Sequence, residues 1–158
     1  MSIQSFKFVL STINPLIILL LLLCVCNPAT KDCNNVSGQE AENVVTSFFN
    51  AITNNNRDSL KSLTTDGFLI YDNGAVWDLD SVYYFLAKYP KDTNHYELRD
   101  FVVLTDCNSA LLRYSNDMTV DTYDSADLHF QWLESAYVIR NHDDKLKLAF
   151  LHATMVKE

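Results

Sequence analysis

Glycine and proline are scarce in this chain, with three of each in 158 residues. Only Gly38, Gly67 and Gly74 are available, so no glycine-rich loop can wrap a phosphate, and nucleotide enzymes of the glycine-loop kinds are excluded. Four cysteines are present, but there is no Cys-x-x-Cys and no helix with paired histidines. No zinc site can be read from such spacing, and neither metal nor cofactor is expected. Positive charge is also in short supply: 12 Lys and Arg against 20 Asp and Glu leave a net charge of −8. No basic patch interleaved with aromatics occurs. Nucleic acid is therefore not an expected partner, and an anionic membrane surface would repel the chain.

The apolar residues that are present fall into two regimes. In residues 1–26 a single cation, Lys7, precedes an uncharged run from Leu16 to Cys26, the layout of an export signal. Ser11, Thr12, Asn14 and Pro15 interrupt its first half. A spanning helix wants roughly 20 predominantly apolar residues, so a cleaved signal is read here in preference to a retained anchor. Cys24 and Cys26, where the run ends, resemble the lipid-attachment site of bacterial lipoproteins. The preceding Leu23 or Val25 is larger than the small residue normal there. One of the two is the expected modified residue; the plainer alternative makes both apolar filler. The expectation is an exported protein, either a lipoprotein facing the periplasm or cell exterior or a secreted form, touching membrane only through its N-terminal segment. Losing residues 1–26 removes Lys7 and leaves the remainder one unit more acidic. Cys33 and Cys107 stay behind in a compartment that permits a disulfide, although nothing in the sequence forces them together.

Residues 27–36 read as a polar tether, and residues 37–158 as one domain. Ser37 and Glu40 have the spacing of a capping box, in which each side chain satisfies the other's backbone donor. Ala41, Val44, Val45, Phe48, Phe49 and Ile52 then form one apolar helical stripe. A short helix from Arg57 to Leu63 and a strand from Phe68 to Tyr71 follow, the strand closed by the turn signal Asp72-Asn73-Gly74. Asp78 or Asp80 can cap a third helix carrying Val82, Phe85 and Leu86. Turn chemistry divides the remainder into four long strands, at 96–105, 110–122, 128–140 and 145–157. Helices followed by an antiparallel meander indicate an α+β domain. A curved sheet wrapped around so wide an amphipathic helix encloses a pocket, because the helix cannot fill the whole concave side.

Alternation assigns faces to the strands. In the third long strand the bulkier apolar set is the even one, Leu128, Phe130, Trp132, Ala136 and Val138, with Glu134 alone among them. In the last strand the even set is Leu146, Leu148, Phe150, His152, Thr154 and Val156, with His152 its one titratable member. A loop of His142 to Asp144 pairs Asn141 with Lys145. Continued without interruption, that register sets Glu134 opposite His152, their Cβ atoms roughly 4.5–5.5 Å apart. A carboxylate–imidazole pair on an apolar wall could do acid–base work or hold a polar ligand group. In the plainer reading the two merely satisfy each other, or Glu134 finds a hydroxyl such as Tyr71. Trp77, Trp132, Tyr114 and Asn116 are further lining candidates, with Phe48 capping the pocket from the first helix. Odd-position Leu133, Tyr137 and Ile139, with Leu151 and Met155, give the outer face enough apolar surface to pair with a second copy.

Phe48-Phe49-Asn50-Ala51-Ile52 through Asp58-Ser59-Leu60, the Trp132-x-Glu134-Ser135 strand and Lys147-Leu148-Ala149-Phe150-Leu151-His152-Ala153-Thr154 together resemble the nuclear transport factor 2-like superfamily. More narrowly they are similar to its SnoaL-like bacterial branch, with small secreted or lipid-anchored members. The resemblance implies a cone-shaped barrel, three N-terminal helices packed on a strongly curved, mainly antiparallel sheet, often dimeric through the outer face. It does not imply one function, because the superfamily holds isomerases, cyclases, dehydratases and binding or assembly domains. Its steroid isomerases want a tyrosine on the first helix, where this chain has Phe48. They want an acid on the late strand, where it has Ala136, and an aspartate after the first strand, where Asp72 is near but shifted. The chain is therefore not read as a ketosteroid isomerase. The leading expectation is an extracytoplasmic domain binding a small, partly apolar molecule. The alternatives are a cofactor-free isomerase, dehydratase or cyclase using Glu134 and His152, and a dimeric assembly module with an incidental pocket.

Overall fold

The computed structural model describes residues 35–89, 93–123 and 125–157. The expectations for the export segment, for Cys24, Cys26 and Cys33 and for residues 27–34 of the tether lie outside them. Val36 does not behave as tether: it is 2 % exposed in the core, and its N–H donates to the Asp106 carbonyl at 2.8 Å. Cys107, in the same stretch as Asp106, is disulfide-bonded.

Helix α1 (Gly38–Thr53) starts as its sequence dictates. The Glu40 N–H donates to Ser37 Oγ and the Ser37 N–H to Glu40 Oε2, a complete capping box. Its stripe, from Ala41 to Ile52, is buried. Asn56 caps α2 (Arg57–Leu63) by accepting from the Ser59 N–H. Strand β1 (Thr64–Asp72) turns through Asn73 and Gly74 into β2 (Ala75–Trp77). Both turn residues have positive φ, 48° and 88°, the conformation an Asn-Gly hairpin supplies at least strain. The sequence shows the turn but not the short strand behind it. Asp78 caps α3 (Leu79–Lys88), and β3 (Thr93–Thr105), β4 (Ser109–Asp121), β5 (Leu128–Arg140) and β6 (Leu146–Met155) follow.

The six strands form one sheet in the order β2-β1-β6-β5-β4-β3. All pairings are antiparallel except β1 with β6, so the last strand is inserted between the first and the fifth. α1 packs on the concave face, and the core lies between its stripe and Leu112, Ala136, Val138, Leu148 and Leu151. Three helices on a curved, mainly antiparallel sheet make this the α+β cone that the sequence predicts.

The β5–β6 register departs from expectation at one residue. Near the hairpin the expected pairing holds: the Asn141 N–H donates to the Lys145 carbonyl, and Val138 pairs with Leu148. Between Tyr137 and Val138 the register shifts, and Tyr137 pairs with Phe150. Ala149 is the additional residue, a β-bulge, and beyond it inside and outside exchange. Leu151 and Ala153 therefore face the core, both buried, while Phe150, His152 and Thr154 face outward. Glu134 consequently pairs with Ala153, and His152 pairs with Ser135 on the opposite face. The expected Glu134–His152 pair does not form. The same exchange removes Leu151 and Met155 from the outer face, where Phe150 takes their place.

Candidate functional site

The concave face is built in rows, because paired residues on neighbouring strands project side by side. One row runs Asp72 on β1, Ala153 on β6, Glu134 on β5 and Tyr114 on β4. The next runs Met155, Trp132, Asn116 and Leu98. A third pairs Phe130, Met118 and Tyr96. α1 and α3 close over these rows with Phe48, Phe49 and Ile52, and with Val82, Phe85 and Leu86. Between helices and sheet lies a cavity of about 500 Å³. Its lining is overwhelmingly apolar and aromatic, and Asp72, Asn94, Asn116, Thr122 and Glu134 supply the non-aromatic polar side chains.

Glu134 is the chemical centre of this wall. It is 6 % exposed, and its Oε1 accepts a hydrogen bond from Asn116 Nδ2 at 2.9 Å, while Oε2 has no partner. Burial pushes its pKa up to about 7. The neighbouring Tyr114 hydroxyl and Asn116 amide pull it down, and the Asp72 charge pushes it further up. Asp72 is half-buried, and its pKa is also raised by burial, with the Trp132 N–H opposing. The Trp132 Nε1 and the Tyr114 hydroxyl are both buried and have no hydrogen-bond partner. Burial raises the pKa of Tyr96 too, and the Glu134 charge adds to it. Four buried polar atoms without partners in one wall, with Asn116 Oδ1 and Glu134 Oε2 the other two, are unusual, since such groups are normally satisfied.

The structure brings together most of the residues singled out in the sequence. Phe48, Trp77, Asn116, Trp132 and Glu134 line the cavity. Tyr114 lies in the wall against Phe101, their ring centroids 4.9 Å apart, and is 4 % exposed. Tyr71 and His152 do not belong to the site. They pair with each other on the outer face, both exposed, and Tyr71 packs edge-on against Phe150. Asp72, Asn94 and Tyr96 were not among the expected lining residues. Asp72 was legible as the last residue before the Asn-Gly turn, but only the parallel β1–β6 pairing shows which side it faces. Ala136, at the position where a steroid isomerase wants an acid, is fully buried in the core.

Neither a protein-family model nor a curated protein matches this chain. Solved structures do. An NTF2-like protein from Cytophaga hutchinsonii superposes with a TM-score of 0.65 at 13 % identity, over 77 % of this chain and 100 % of that one. A ketosteroid isomerase-like protein from Erwinia carotovora atroseptica gives 0.60 at 13 % identity, over 78 % and 100 %. The CaMKII hub of S. rosetta gives 0.63 at 12 % identity, over 77 % and 99 %. At these identities the likeness is one of fold: the domain has the nuclear transport factor 2-like fold, shared by proteins of different roles.

Proposed function

We propose that this chain is an extracytoplasmic small-molecule-binding domain of the nuclear transport factor 2-like kind, in its SnoaL-like branch. In this reading it is exported by its N-terminal segment and anchored through a lipid on Cys24 or Cys26. The observation that carries the binding role is the cavity itself: about 500 Å³ of mostly apolar space with a buried, unpartnered carboxylate oxygen in its wall. The disulfide at Cys107 and the run Leu16 to Cys26 support the location. Loss of His152 from the site removes the partner that the acid–base reading relied on, which favours binding over turnover.

Mass spectrometry under native and then denaturing conditions tests this directly. The expected result is a small molecule that accompanies the gently purified protein and is lost on denaturation. Ala153→Leu, which inserts a side chain between Asp72 and Glu134, is expected to abolish the added mass while the protein stays folded. Retention of the same mass by that variant would place the molecule elsewhere and refute the site.

The outer face supports self-association. Leu104, Leu111, Tyr137 and Phe150 lie in one register row across β3, β4, β5 and β6, and the first three are 61 %, 41 % and 40 % exposed. A continuous apolar row of this kind is what a second copy would cover. Leu111→Asp is expected to convert a dimer to a monomer in sedimentation velocity without altering ligand retention. A wild type that sediments as a monomer at high concentration would refute dimerisation.

A further inference from the structure

The charge of the cavity wall selects among ligands, an inference that rests on the cavity's being a binding site. Among the described residues, charged side chains enter it from two elements, Asp72 from β1 and Glu134 from β5. The parts of α1, α3, β2, β3, β4 and β6 that face it bring no Lys, Arg or His, and the remaining titratable groups are the hydroxyls of Tyr89 and Tyr96. Among the described residues no cation acts on either carboxylate, and the Asp72 charge repels that of Glu134. The wall that the described residues form is therefore anionic once both groups ionise.

Geometry leaves a seat between the two acids. Asp72 and Glu134 both pair with Ala153, so they flank a single methyl group, their backbones two strand spacings or roughly 10 Å apart. Glu134 lines this space, and its Oε2 is buried without a hydrogen-bond partner. Trp132, Trp77 and Phe85 add ring faces, which attract positive charge through their quadrupole. Among the described residues no group of three or more His, Cys, Asp or Glu side chains converges, so two carboxylates framed by aromatics suit a soft organic cation better than a metal ion. A neutral ligand could take a hydrogen bond from Glu134 if that group stayed protonated, but it would leave Asp72 unanswered.

We propose that the cavity binds an amphipathic organic amine, with its ammonium group seated over Ala153 between Asp72 and Glu134 and its apolar body against Phe48 and Phe85.

The test uses a neutral fluorescent reporter, N-phenylnaphthylamine, displaced from the purified protein by three probes of matched shape: phenylbutylamine, phenylbutanol and phenylbutyrate. At about pH 8, where Glu134 is mostly ionised and the amine still protonated, the amine is expected to displace the reporter at roughly one-tenth the concentration of the alcohol. The carboxylate probe is expected to be weakest. Glu134→Gln should erase most of the amine's advantage and keep reporter binding; Asp72→Asn should reduce it in part. Lowering the pH through the Glu134 titration should weaken the amine and spare the alcohol. An alcohol or carboxylate that binds as well as the amine would overturn the charge selection while leaving the cavity a binding site. An amine preference that survives Glu134→Gln would overturn the seat. A reporter that never enters, with no probe detected by calorimetry either, would overturn the binding reading and this inference together.

Discussion

Glu134→Gln is expected to make the empty protein more stable above neutral pH and to leave it nearly unchanged in acid. The sign follows from the direction of the shift. Glu134 ordinarily ionises near 4.5, and burial raises this to about 7 in the folded state. Between those values the folded chain holds a proton that the unfolded chain has released, so each rise in pH favours unfolding. The cost is absent below the unfolded value and complete above the folded one. At roughly 1.4 kcal/mol per unit it reaches about 3 kcal/mol, which corresponds to a melting shift on the order of 10 °C for a domain of this size. Glutamine carries no charge to desolvate and keeps a carbonyl for the Asn116 amide. Urea titrations of wild type and variant at about pH 8 and pH 4 measure the difference between them, cancelling the opposite slopes of Asp78 and Asp106, whose pKa values hydrogen bonds lower. Equal stability of the two proteins at both pH values would mean that Glu134 is solvated. A group that destabilises its own fold when charged is a mark of a site kept for something other than stability.

Deleting Ala149 is expected to leave both faces of β6 as they are. The deletion joins Leu148 directly to Phe150, and the observed partners, Val138 with Leu148 and Tyr137 with Phe150, then follow in unbroken register. Leu151 and Ala153 stay inside, and the pairing of β6 with β1 from Leu69 to Asp72 is kept. What is lost is the local bend that a bulge imposes, so the variant should be folded by circular dichroism and less stable by about 1–2 kcal/mol. Inserting an alanine after Leu151 is expected to have a larger effect. With the bulge kept, His152 would turn inward opposite Glu134 and Ala153 outward, and the pairs Tyr71 with His152 and Asp72 with Ala153 must break or shift. Burying an imidazole without a partner alone costs about 2 kcal/mol, so the insertion variant should melt well below the deletion variant. A deletion variant that unfolds, or an insertion variant as stable as the wild type, would show that the bulge at Ala149 does not set the two faces in this way.

That single residue also marks where the sequence stopped being legible. The helices and the faces of β4 and β5 follow from local chemistry: a reciprocal cap at Ser37 and Glu40, a stripe ending at Ile52, and clean alternation from Leu128 to Val138. Alternation also runs without a break from Leu146 to Phe150, and nothing in that stretch distinguishes an in-register Ala149 from a bulged one. The nearest signal was Phe150 beside Leu151, two large apolar side chains in succession where one face must be outside. Reading through it carried His152 to the wrong side and made a catalytic pair that does not form. Glu134 survived because its face is fixed by β5 and β4, which pair without interruption from Leu128 to Ile139. Asp72 was visible by identity yet invisible by direction. Its side is set by a parallel partner about 80 positions away in the chain, and no local pattern encodes that.

The insertion of β6 between β1 and β5 has a further effect, on the order in which the domain can assemble. β3, β4 and β5 can pair as they are made, each with its immediate predecessor. β1 and β2 have no place in the sheet until β6 is present, because β1 touches the rest of the sheet through that strand. The sheet therefore closes from the C-terminal end, through contacts of high sequence separation that are slow to form. Until the final ten-residue strand is delivered, the inward face of α1 has only part of its sheet to cover it. A chain lacking β6 would be a three-stranded meander and a detached hairpin, with Phe48 and its neighbours open to aggregation. This arrangement postpones closure of the sheet until nearly all of the described domain has been made.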